Sequence, residues 1–180
     1  MLSELGTERA ETRYFLAEAA KTPDPDASDD LYRRVAAAAQ KRGYQSTRAE
    51  ALARLIARDV ATAGDYHEQG QALSADAAKI PEALEALRIA YTKDPSQGEW
   101  LLERGVLAAQ HNDHAGAITI LQAFLEQTPR DDPSWAVASK WLARAQARLK
   151  KGAPKPKRPV DAATREAQTQ RPTVHLDDGQ

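Results

Sequence analysis

His111-Asn112-Asp113-His114 is where side chains able to hold a metal crowd together, with two imidazoles and a carboxylate inside four residues. Imidazole nitrogens and carboxylate oxygens are zinc ligands, but a closed tetrahedral site needs more of them than this run supplies. The run also lies between two apolar helical patterns, where Asn and Asp are ordinary turn residues. A turn is therefore expected, with no metal and no other cofactor. His67 and His175 stand alone in the sequence. Zero cysteines exclude disulfides, thiolate ligation and a cysteine nucleophile. No Ser-His-Asp grouping presents itself, and the Gly-x-Gly-x-x-Gly and Gly-Lys-Ser/Thr signatures of phosphate loops are absent. The carboxylates fall in mixed-charge helical patterns and read as solvated faces. The chain is not expected to be an enzyme.

Charge points the same way. The net charge is −1, so the overall basic field of a nucleic-acid binder is missing. Lys155-Pro156-Lys157-Arg158 could touch a phosphate backbone, but it is short and Asp161 follows it. A nucleic-acid partner is disfavoured. Charge is blocked along the chain, net −5 over residues 1–30 and +5 over 31–63, as expected of faces with distinct electrostatic roles. The opening residues carry Glu4, Glu8 and Glu11 without an apolar core, unlike a secretory signal. No run approaches the roughly 18 apolar residues of a membrane span. The expectations are a cytoplasmic location and no membrane insertion.

The elements that position these residues read as helices. Ala, Leu, Glu, Arg and Gln are abundant and Val, Ile and Phe scarce, and the favoured side chains lose little rotamer freedom in a helix. Leu84, Leu87 and Tyr91 share one stripe, as do Ile118, Leu121 and Leu125. Asp94-Pro95 and Thr128-Pro129 mark breaks, because proline disfavours helix in the residue before it. Asp132 is a candidate N-cap with Pro133 behind it. Shifting the sequence by 34 residues aligns Tyr32, Tyr66 and Trp100, and likewise Ala39, Leu73, Leu107 and Trp141. It also aligns Ala49, Ala83 and Ala117, and Pro95 with Pro129.

A 34-residue period with a small residue in the second helix and a closing proline resembles the tetratricopeptide repeat family. The unit 98–131 resembles it most, with Gly105, Ala117, Leu121 and Pro129. In 64–97, Ala83, Leu87 and Pro95 fit, Gln71 stands where the glycine belongs, and Gly70 lies one residue early. In 30–63, Ala37 and Ala49 fit. The expected fold is all-α: a right-handed α-α solenoid of about three such helix pairs. An acidic N-terminal helical extension (1–29), a capping helix (133–150) and a disordered tail (151–180) complete it.

The resemblance implies a concave groove lined by the first helix of each unit, taking a peptide or helix from a partner protein. Carried over by position, the groove comprises Arg34, Ala38, Lys41 and Arg42; Asp65, Glu68, Ala72, Ala75 and Asp76; Glu99, Leu102, Val106 and Ala109; and Lys140 and Arg144. The family's carboxylate-gripping positions read Arg34, Ala38, Gln69, Glu99 and Glu103, and the two acids would repel an acidic tail. The expected function is a non-catalytic adaptor or scaffold. A cytosolic chaperone for secreted bacterial substrates and a structural subunit are the alternatives, with a homodimer through the N-terminal helix allowed. The acidic N-terminal segment could also fold back on the basic first unit.

Overall fold

Side-chain caps mark the start of several helices. The computed structural model describes residues 2–152, which form α1 (Leu2–Lys21), α2 (Pro25–Arg42), α3 (Gln45–Ala57), α4 (Ala63–Ser74), α5 (Ile80–Lys93), α6 (Gly98–Gln110), α7 (His114–Gln127) and α8 (Pro133–Gly152). Among the described residues there is no strand. The Asp24 carboxylate accepts from the Asp26 amide, ahead of Pro25 in the first turn of α2. Thr62 and Asp65 form a reciprocal capping box at α4, and Asp132 accepts from the Ser134 amide at 2.8 Å. Each satisfies an amide that the helix start leaves without a partner.

The His111–His114 run is the expected turn. Asn112 takes φ 66°, a region Asn tolerates, and Asp113 accepts from the Gly116 amide at 2.9 Å. The first helix pair begins at Pro25, inside the segment assigned above to the N-terminal extension, and α8 runs on to Gly152. The disordered tail expected over 151–180 falls, from residue 153 on, outside the described residues.

Every extensive helix–helix contact joins neighbours or next-but-one elements in the chain, α1 with α2 and α3 through to α6 and α7 with α8. The core divides accordingly. Leu16, Tyr32, Val35, Leu52 and Leu55 are buried together across α1–α3. Ile80, Ala83, Leu87 and Leu107 join α5 to α6. Leu101, Leu121, Phe124, Ala138 and Ala145 join α6, α7 and α8.

The closest crossings correct the sequence register. A Cβ on Gly105 would lie 2.7 Å from Leu121 Cδ2, and one on Gly70 would lie 2.7 Å from Leu87 Cγ. Gly70, and not Gln71, therefore makes the close crossing of the second pair. Glycine and leucine are 16 residues apart in the α6/α7 pair and 17 in α4/α5. In the first pair, Ala36 and Leu52 are both buried and 16 apart. The extra residue lies in the longer α4–α5 connection, which includes a 3-10 turn at Ala77–Lys79. There Asp76 caps the turn through the Ala78 amide. Ala37 is correspondingly exposed, and Arg48, not Ala49, aligns with Ala83 and Ala117.

Gly105→Ala should destabilise the chain by about 1 kcal/mol net. Overpacking costs ~1–3 kcal/mol and the better helix propensity of Ala returns about 1. Gly98→Ala, whose nearest foreign atom would be at 3.9 Å, should not destabilise. In urea titrations, Gly105→Ala should become neutral or stabilising in a Leu121→Ala background. Simple additivity of the two changes would contradict the crossing.

Candidate functional site

Three polar bridges tie successive helix pairs together, and each engages residues assigned above to the groove or left without a role. Between α2 and α4, Arg33 Nη2 lies 3.7 Å from Asp65 Oδ2 and also donates to the Val60 carbonyl at 3.1 Å. Between α3 and α4, Arg48 Nη2 lies 3.2 Å from Glu68 Oε2. Between α4 and α6, His67 Nε2 lies 2.6 Å from Glu103 Oε2. The His67 ring also stacks on Trp100, with centroids 4.7 Å apart and planes at 15°. Gln71 Nε2 approaches His67 Nε2 at 3.4 Å.

Arg48 shows how these bridges work. It is only 3% exposed, its Nε is buried without a hydrogen-bond partner, and its partner Glu68 remains 41% exposed. A buried guanidinium keeps its charge and so depends on the one carboxylate beside it. Farther along, burial pushes the half-buried Arg104 guanidinium of α6 below its ordinary value, with the nearby Arg88 charge acting in the same direction.

Sequence reasoning left His67 isolated, and the structure corrects this. The partners sit 33 and 36 residues away, at Trp100 and Glu103, within one turn of a repeat period. Residues offset by about one period become neighbours when first helices stack, but offsets of 33 and 36 place neither partner in the column of His67 in a fixed 34-residue alignment.

Several of the expected groove residues line separate clefts. Arg34, Ala38 and Arg42 line a cleft of about 300 Å³ between α1 and α2, with Phe15 and Leu31 on its walls. Ala72, Ala75 and Asp76 line a second cleft against Tyr44–Thr47. Ala109 and Arg144 meet in a third, beside Asn112, His114 and Trp141. Lys41, Glu99 and Lys140 are exposed. Leu102 packs partly against the α6–α8 cluster, and Val106 is half-buried on α6. Two expectations need correction: Ala72 and Ala109 are 2% and 8% exposed, so they close the space between helices and offer little contact surface. Asp65 and Glu68 are engaged in the bridges.

The α1 helix packs on α2 and α3. It covers the end of the first pair, with Tyr14 and Phe15 left 60% and 51% exposed. No described helix is long and apolar enough to cross a membrane. No family model matches the chain, and neither does any curated protein or solved structure.

Glu68→Ala and Arg48→Met both delete the same ion pair, yet they should differ. Removing Glu68 strands a buried cation and should cost about 2–3 kcal/mol, somewhat below the ~3–5 of a fully buried pair because Glu68 is half in water. Arg48→Met leaves only a solvated carboxylate and should cost less than half as much. Chemical denaturation of the two variants decides it, and equal losses would remove the special role of Arg48.

Proposed function

We propose that this chain is a non-catalytic protein-binding module, a right-handed α-α solenoid of the tetratricopeptide kind that docks a peptide or helix of a partner protein. The observation that carries the reading is the recurrence of one helix crossing, Gly70 against Leu87 and Gly105 against Leu121, in a chain whose helices pack chiefly on near neighbours. Stacking of that kind leaves one face of the first helices uncovered, which is how repeat proteins form extended binding surfaces.

On this reading the contact surface is narrower than the sequence suggested. It centres on α4 and α6, where Gln71, His67, Trp100, Glu103 and Val106 come together or stand in sequence on one helix face. Glu99 and Leu102 lie beside them, and Arg144 of α8 marks one end. A half-buried aromatic ring beside fixed polar groups is the composition of a binding hot spot. A partner helix with apolar anchors at three- and four-residue spacing suits it. The cytoplasmic location expected from the sequence is part of the same proposal.

A dimeric chaperone is the second reading. It is favoured by Tyr14 and Phe15, which make an edge-to-face pair at 5.8 Å while both stay exposed on α1. A mass measurement in solution separates the two, since a dimer through α1 should become a monomer in Phe15→Glu.

Val106→Asp alone and Leu102→Asp/Val106→Asp together should each abolish recovery of the partner in affinity capture. Unchanged helical circular dichroism would show that the fold persists. Recovery of the same partners by a folded variant contradicts the proposed face.

A further inference from the structure

The helix α8 carries Lys140, Arg144, Arg148, Lys150 and Lys151 and no acidic residue. Lys140, Arg144 and Arg148 follow one another at four-residue spacing and are exposed, and like charges one turn apart repel. Neither Arg144 nor Arg148 meets a carboxylate among the described residues. The neighbours of α8 explain why. It packs on α6 and α7. The one acid of α7, Glu126, lies about 18 Å along the helix axis from His114, at the end remote from both arginines. On α6, Glu99 sits in the first turn and Glu103 is held by His67 at 2.6 Å. Asp113, in the turn between these helices, caps α7 by accepting from the Gly116 amide at 2.9 Å.

These cations border a cleft of about 380 Å³, lined by Ala109, Ala145 and the half-buried Trp141 together with Arg144 and Arg148. Arg144 lies over the Trp141 ring, its guanidinium carbon 5.1 Å from the centroid. That contact fixes the guanidinium beside the cleft. No hydrogen bond among the described residues engages its N–H donors, whose fork matches the two oxygens of a carboxylate. The cleft therefore joins an apolar floor to two guanidinium groups that the fold leaves uncompensated.

We propose that this cleft binds an acidic segment of a partner protein, with one apolar side chain on Trp141, Ala109 and Ala145 and flanking carboxylates on Arg144 and Arg148. The proposal rests on the reading of the chain as a protein-binding module and names the chemistry of one stretch of the partner. Charge complementarity selects the acidic groups, and the concave apolar floor selects the side chain between them. A flat lipid surface supplies no such side chain. Arg144 already covers one face of Trp141, so that face offers no platform for a nucleic-acid base.

The probe is a fluorescently labelled synthetic peptide with blocked ends, in which one leucine stands between two pairs of glutamates. Titrated with the full chain at low salt, it should show saturable binding by anisotropy. Binding should weaken at least tenfold in Arg144→Glu/Arg148→Glu, and equally when glutamine replaces every glutamate of the peptide or serine replaces its leucine. A peptide with lysine for each glutamate should bind that variant and not the unaltered chain. Both arginines are exposed, and an unchanged thermal transition shows that the fold persists. Arg144→Gln/Arg148→Gln, also expected to weaken binding, gives the same readout if the reversal disturbs the fold. The probe reads the cleft alone, whereas capture by Val106→Asp reads the α4–α6 face, so the two failures are distinct. No saturable binding, equal affinity for the glutamine or serine peptide, or undiminished binding by the arginine variants overturns the proposal. Phosphatidylserine vesicles or a single-stranded oligonucleotide held more tightly than the peptide, with the same loss in the variants, overturn it in favour of a lipid surface or a nucleic acid.

Discussion

Glycine at a helix crossing is the constraint on which the described structure depends. Packed helices usually sit 8–10 Å apart, with side chains setting the distance. At Gly105 there is no side chain, and Leu121 occupies the space a Cβ would need. The same substitution of leucine for a missing Cβ recurs at Gly70 and Leu87. Each pair is drawn tight by this crossing, and the outer flank of each pair must then be covered by the next. Leu107 turns back onto the α5 cluster, and Ala138 and Ala145 of α8 close the last one. The fold is thus a succession of local closures, and its stability is shared between each pair and the junctions.

Junctions carry the polar chemistry. Arg33–Asp65, Arg48–Glu68 and His67–Glu103 each span two helix pairs, and Tyr91 adds a hydrogen bond to Gln127 between α5 and α7 at 2.9 Å. The partly exposed pairs, Arg33–Asp65 and His67–Glu103, contribute little energy individually. Together with Arg48–Glu68 they fix how one pair is rotated on the next, because a buried guanidinium such as Arg48 tolerates few orientations. His67 on Trp100 does the same with a flat aromatic contact. Other cations take no part in these junctions. Lys41 at one end and Lys140, Arg144 and Arg148 at the other stay exposed on the surface, where they can meet something else.

Helix number and type were legible in the residues, as was the cap at Asp132, since Asp-Pro, Thr-Pro and Asp132-Pro133 carry their own local physics; the caps at Asp24 and Thr62 were not. The turn at His111–His114 was legible for the same reason. Register was not. A single added residue in the α4–α5 connection moves Gly70 off the 34-residue column, and self-alignment of one sequence at a fixed shift cannot absorb it. It favoured Gln71 and Ala37, where the fold uses Gly70 and Ala36. The groove was only partly legible. Position-by-position transfer identifies which helix a residue lies on, but not whether Ala72 is buried or whether Asp65 is engaged by Arg33. Those depend on how the pairs are rotated, which long polar side chains at the junctions decide. His67 was missed because its partners lie one repeat away and at no shared column.

The most direct measurement is of the two crossings themselves. With leucine methyls labelled, the repeat predicts strong nuclear Overhauser effects from the Gly70 α-protons to Leu87 and from the Gly105 α-protons to Leu121, of similar intensity. Effects on Leu87 centred on Gln71, or their absence at either glycine, would contradict a shared crossing and with it the repeat.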